Sequence, residues 1–269
     1  MSESFLEKLR RIEEIASREE IETQIIKAKT PEGREIRFDM EKEREKWQEF
    51  YEKHNLKTDI PEIKLKEEQI KEIQNLIEKG YVDELAIIAD ELSYSDVERE
   101  MTQGYEETRT GGNFDADGGF ATLDQQETPS ASSGQAKKRF HLVFYKKVKE
   151  LDQDPFLKQT LNKSPEDIDA LFKQLEQEQN IKLQGLSGKD YLVIQRKFVE
   201  ETETSKDIQD KDRHMDANRW TWCLRSVFPG GHVLGATWHP ADRQVELRSG
   251  SPDNRDSGRG ARSSAILEI

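Results

Sequence analysis

The chain has 269 residues, a net charge of −13, and 36% charged against 33% hydrophobic residues. So acidic a composition, with no long basic run, argues against a nucleic-acid binder, because phosphate affinity comes from clustered Lys and Arg. One cysteine, Cys223, excludes an intramolecular disulfide and a thiolate-rich zinc site, and no apolar run reaches the roughly 18–20 residues that span a bilayer.

The first residues lack the apolar stretch of a signal peptide, so a cytoplasmic protein without membrane insertion is the default expectation. With so few apolar residues, one compact core is not expected to use the whole chain. Residues 3–28 read as an amphipathic helix, with Leu9, Ile12, Ile15, Ile21, Ile25 and Ile26 among its apolar positions. A Pro-Glu-Gly turn and a short strand follow in KTPEGREIRF. A second helix is expected over 40–54, with Trp47, Phe50 and Tyr51 on one side. A third is expected over 66–79, with Ile70, Ile73, Leu76 and Ile77 as its stripe and Gly80 as its stop. Residues 1–79 are thus read as a helical accessory region, and pairing of its helices would make a homo-oligomer.

Leu85–Ile88 form the continuous apolar run of a buried strand, followed by a short helix capped near Ser95. Residues 106–138, rich in Gly, Asp, Thr, Ser and Gln, read as a flexible loop. RFHLVFYKKV (139–148) is a strand by its alternation. DPFLKQTL begins a helical stretch. Ser164, Pro165 and Asp167 are the N-cap, first position and capping-box residue of the next helix. Another helix covers 186–203, and 204–217 connect it to the end of the chain.

That end changes character. Three of the four tryptophans lie in residues 219–269, among glycines and short alternating runs. Trp220, Trp222 and Leu224 alternate with Thr221 and Cys223. His232, Leu234, Ala236 and Trp238 alternate with Val233, Gly235 and Thr237, and Val245 and Leu247 with Gln244, Glu246 and Arg248. PDNRDSGRG is a loop and ARSSAILEI a last strand, so this segment is expected to be an antiparallel unit with one face packed and one face wet.

Trp220-Thr221-Trp222, the GATW of Gly235–Trp238, the loop PDNRDSGRGARSS and its closing strand, in that order, resemble the variable proteins of diversity-generating retroelements. Those proteins have a C-type-lectin-like fold in the branch related to formylglycine-generating enzyme. LAIIADELSYSDVEREMTQGYEETRTGGNFDADGGFATL resembles the opening strand and helix of such domains, and GLSGKDYLVIQRKF the helix before the tryptophan strand. The resemblance covers about 80–269. It implies an α+β architecture: a C-type-lectin-like domain with small antiparallel sheets and flanking helices, preceded by the helical region 1–79. It also implies a non-enzymatic binder whose variable region, about 219–269, displays a rewritable patch to a protein or other macromolecular ligand. The display candidates are Phe228, Gly230, His232, Thr237, His239, Asp242, Arg243, Glu246, Arg248, Ser251, Asp253, Asn254, Asp256, Ser257 and Arg259. Trp220, Trp222, Trp238, Val245, Leu247, Ala265 and Leu267 are scaffold candidates. Which face of 232–238 is displayed stays open, and His232 belongs either to the display set or beneath the loop.

Competing chemistry is weak. His232, His239 and Asp242 do not converge on a metal by sequence, and TGGNFDADGG lacks the terminal Glu of a calcium loop and the Gly-Lys-Ser/Thr of a phosphate loop. Cys223 stands alone between apolar neighbours, as a packing thiol does. No cofactor or metal is implied. Two alternatives remain: an attachment protein with a fixed lectin-like head, and an oxidoreductase related to formylglycine-generating enzyme with altered chemistry.

Overall fold

The computed structural model describes residues 24–102, 109–127, 140–202, 214–239, 241–242, 244–255 and 257–269. Most of the predicted helix 3–28 lies outside these residues. Its last positions are not helical: Ile25–Lys29 form strand β1, paired antiparallel with β2 (Glu35–Asp39). The turn closes with the Gly33 amide donating to Thr30 O at 2.8 Å, and Gly33 adopts a φ of +84°. Ile25 and Ile26 fit a helical spacing, but IIKAK finds EIRFD across this turn, and β-branched residues suit the ladder. Region 24–79 is therefore a hairpin plus two helices, α1 (Met40–Lys53) and α2 (Glu67–Glu78). Asp39 caps α1 by accepting from the Lys42 amide.

These helices bury their stripes within the chain. Trp47, Phe50, Tyr51, Ile73, Leu76 and Ile77 are all at most 3% exposed. Phe38 meets Phe144 edge-on at 5.5 Å, and the Tyr51 hydroxyl donates to Ile87 O at 2.8 Å. The apolar faces from which oligomerisation was expected are thus occupied internally in α1 and α2.

Strand β3 (Glu84–Ala89) leads to α3 (Tyr94–Met101), whose N-cap is Ser93 rather than Ser95, accepting from the Asp96 amide. Next come β4 (Arg109–Gly112) and α4 (Gly119–Glu127), where a flexible loop was expected. Polar composition suggested mobility there, but Phe114 and Leu123 are buried anchors within it. Phe114 packs edge-on against Phe228 at 5.8 Å. The remainder of the predicted loop, 103–108 and 128–139, lies outside the described residues. After β5 (Phe140–Tyr145) the stretch 151–160 forms two 3₁₀ turns. Helix α5 (Pro165–Gln179) carries the predicted Ser164–Asp167 capping box and ends at left-handed Asn180. Strand β6 (Gln184–Gly185), α6 (Gly188–Thr202), β7 (Trp220–Val227), β8 (Val233–His239), β9 (Gln244–Gly250), β10 (Arg259–Gly260) and β11 (Ser263–Glu268) complete the order.

Two larger sheets result, in a mixed α+β architecture. The first has order β3-β5-β11-β6, with all its pairs antiparallel. The second has order β10-β7-β8-β9-β4. Its centre is the antiparallel meander β7–β8–β9, but both edges, β10 and β4, pair in parallel. The last strand does not close the tryptophan unit as expected. It crosses to the first sheet, aligning Ala265 with Phe144 and Leu267 with Leu142, because its apolar residues find partners in β5.

Candidate functional site

The site is built on one face of the second sheet. Register places Trp222, Gly235, Arg248 and Gly111 side by side across β7, β8, β9 and β4. The glycines make the slot in which the rings lie. A Cβ on Gly235 would stand 3.4 Å from Trp222, and one on Gly250 3.0 Å from the same ring. Trp222 is fully buried while Trp220 is half-buried.

Arginines cover these rings. The Arg259 guanidinium lies 4.8 Å from the Trp222 ring centre and 5.2 Å from that of Trp220, and the Arg248 guanidinium lies 5.4 Å from Trp220. Each such cation–π contact contributes about 0.5–1 kcal/mol at an exposed site. Arg248 is held by buried Glu246, to which its Nε donates at 2.7 Å.

Beside this platform runs the 251–258 loop, fixed at both ends. The Glu166 amide donates to Pro252 O at 3.2 Å, the Gly258 amide to Asn162 Oδ1 at 2.8 Å, and the Trp220 amide to Gly258 O at 3.1 Å. Arg255 reaches Asp167 at 3.1 Å while staying 68% exposed. Ser251, Asp253 and Ser257 are exposed, and the Ser251 hydroxyl bonds Asp253.

The opposite face is core. Cys223, Leu234, Ala236 and Leu247 are fully buried, and Trp238 stacks on His214 at 3.5 Å between ring centres. Beneath the start of β7, Asp216 and Arg262 form a buried bidentate pair, Nη2 to Oδ1 at 2.8 Å and Nε to Oδ2 at 3.0 Å. Arg262 also donates to Val148 O and Lys149 O, and Thr221 Oγ1 to Asp216.

The predicted display residues divide. Gly230, Ser251, Asp253 and Ser257 are exposed, and Asn254, Arg248 and Arg259 are half-buried around the platform. His239 and Asp242 sit 3.1 Å apart on their own turn, each about 40% exposed. Three candidates are buried rather than displayed. Phe228 is 1% exposed, turned inward onto Phe114 because that ring completes the aromatic cluster. Thr237 is 5% exposed and donates to Asp216 O and Arg219 O, and Glu246 is 2% exposed beneath Arg248. His232 lies beneath the 113–119 turn, 2.9 Å from Asp117, which also accepts from Ser249 Oγ. Arg243 and Asp256 lie outside the described residues.

Among the scaffold candidates, Trp222, Trp238, Val245, Leu247 and Ala265 are buried, whereas Trp220 and Leu267 are half-buried. Sequence reasoning missed Arg219, Arg255 and Gly111 as neighbours of this surface. A signal existed: residues 219–269 hold seven arginines, no lysine and five carboxylates, +2 in a chain of −13. Among the described residues no group of three or more His, Cys, Asp or Glu is arranged to hold a metal ion, and no helix is long and apolar enough to cross a membrane. Comparison of the chain with protein-family models, curated proteins and solved structures yields no match.

Proposed function

We propose that this protein is a non-enzymatic binder of the variable-protein type, on a C-type-lectin-like scaffold, whose patch around β7–β9 and the 251–258 loop meets a protein ligand. One observation carries this reading. The outward set (Arg248, Ser251, Asp253, Asn254, Ser257, Arg259) sits on tryptophans seated over glycines and on a loop pinned at both ends. A surface of that kind is preorganised, so ligand contacts need not order it first. Its outer residues make few of the buried contacts on which folding depends, so their replacement is cheap. A specific protein interface buries about 1,200–2,000 Å² in total, more than the loop tip alone supplies, so the Trp220 platform and the 229–231 turn belong to the contact.

The test is the DNA around the gene. A diversified protein requires a nearby reverse-transcriptase gene and a near-identical copy of the codons for 219–269 that differs at adenines. Absence of that repeat rejects diversification and leaves an attachment protein with a fixed head. The oxidoreductase alternative is tested separately: a Cys223→Ala variant that folds but loses a turnover seen in the parent would reject the binder reading.

A further inference from the structure

A second polar site lies where β5 of the first sheet, α6 and β7 of the second sheet meet. A cavity of about 270 Å³ is lined by Asp90, Gln126, His141, Ser187, Lys189 and Arg225. A chain of alternating charge runs through its wall. Arg225 Nη1 donates to Asp190 Oδ2 at 2.9 Å, Asp190 Oδ1 meets His141 Nε2 at 2.9 Å, and His141 Nδ1 meets Asp90 Oδ1 at 2.7 Å.

The interior of this chain is saturated. His141 is 5% exposed with both nitrogens bonded to carboxylates, and buried Asp190 also accepts from the Ser187 amide at 2.8 Å. Lys189 donates to Leu92 O at 2.6 Å. The two ends of the chain are open. Among the described residues Arg225, 33% exposed, uses one nitrogen, leaving Nε and Nη2, while Asp90, 22% exposed, keeps its second oxygen. Gln126 is exposed at the rim, and the Ser187 hydroxyl accepts from the Asp190 amide, which leaves its hydrogen unused.

We infer that this cavity binds a small zwitterion of the α-amino-acid type, its carboxylate on Arg225 and Ser187 and its ammonium on Asp90. The argument is one of closure. A guanidinium fork matches a carboxylate, and a free carboxylate oxygen matches an ammonium. A ligand carrying both groups on one short frame satisfies both open ends without changing the net charge of the site. An anion alone would leave the Asp90 oxygen unmatched, and a cation alone would leave the guanidinium so. The cavity lies at the small end of ligand sites, which restricts the frame to a few heavy atoms. The site involves no residue of the display surface, so it stands or falls independently of the binder reading.

The test follows the His141 imidazole ¹⁵N shifts of the full chain near neutral pH during titration with L-alanine, acetate or methylammonium. L-Alanine should give a saturable shift, with acetate and methylammonium each at least about tenfold weaker. Gln126→Trp blocks the rim from an exposed position and should abolish the L-alanine shift while leaving the thermal midpoint unchanged. Arg225→Gln, where it folds, should also abolish the L-alanine shift, with a lowered thermal midpoint because buried Asp190 loses a partner. An absent L-alanine shift, acetate binding as tightly as L-alanine, or an unaltered titration in Gln126→Trp would each overturn the assignment.

Discussion

In the sheet β3-β5-β11-β6, every residue of β5 is buried and five of the six in β3 are too, with His141 the polar member of that buried strand. In the sheet β10-β7-β8-β9-β4, the inward face is equally closed, but the outward face carries tryptophan rings, glycine gaps and arginines. Strands β3 and β5 have no side to spare, so a change on either of their faces disturbs packing. The second sheet keeps Trp220, Arg248 and Arg259 half-buried on its outward face. The proposed display surface lies on the second sheet, and the comparison breaks most readily where the two are tied together.

The strongest tie is Asp216–Arg262. Arg262 precedes β11 of the first sheet, while Asp216 precedes β7 of the second, and both are at most 1% exposed. Arg262→Ala would leave the Asp216 carboxylate buried without its partner and free the Val148 and Lys149 carbonyls. The expected loss is about 3–5 kcal/mol in urea unfolding. A loss below about 1 kcal/mol would mean that the sheets hold together without this pair.

Next is the titration of the first sheet. Burial by itself would push His141 down, but Asp190 and Asp90 outweigh it and raise the imidazole to about 9. Asp190 feels the reverse: burial favours its neutral form, yet His141 and Arg225 hold it well below the usual range. A His pKa raised in the folded state means stability that is full below about pH 6.5 and declines as pH rises through about 9. The contribution is on the order of 3 kcal/mol. His141→Gln should flatten the stability profile over that window. An unchanged slope would assign it to other groups.

A third tie is steric. Gly185 of β6 faces Leu224 of β7, and a Cβ at 185 would fall 2.6 Å from Leu224 Cβ. Gly185→Ala should cost about 1–3 kcal/mol by overpacking. Combination with Leu224→Gly, which removes that Cβ, should recover part of that cost in a double-mutant cycle. Strict additivity would show that the two positions do not press on each other.

Legibility in the sequence followed the range of the interactions. The Ser164-Pro165-Asp167 helix start is a local device and was readable, as were the buried run of β3 and the alternation within β7, β8 and β9; that Trp222 and Trp238 lie on opposite faces of their sheet depends on the register between strands. The parallel pairing of β4 with β9 was not, because nothing near Arg109–Gly112 announces Glu246–Ser249 as its partner. Phe228 beside Pro229-Gly230-Gly231 looked like a loop-borne contact residue. Its burial depends on Phe114, a distant residue in a segment that composition marked as loop. Thr237 and Glu246 alternate onto the outward face, yet Arg248, Arg219 and the Asp216 backbone cover them. Strand periodicity identifies a face but not what neighbouring side chains lay over it.

The smallest expected effect is the one that sharpens the contrast between the sheets. Ser251, Asp253 and Ser257 are exposed, and the loop that carries them is held by backbone bonds from Glu166, Gly258 and Trp220 that their side chains do not make. Replacing all three together, for example Ser251→Asn, Asp253→Tyr and Ser257→Arg, should change stability by no more than about 0.5 kcal/mol per site, the usual range for surface positions. Trp222→Ala in the floor below should cost about 3–5 kcal/mol, since the ring fills the gap over Gly235 and Gly250. Thermal unfolding of the two variants side by side decides the matter. Large losses from the loop triple would mean that its side chains are structural, and the separation of a changeable surface from a fixed floor would fail at the place where it is most needed.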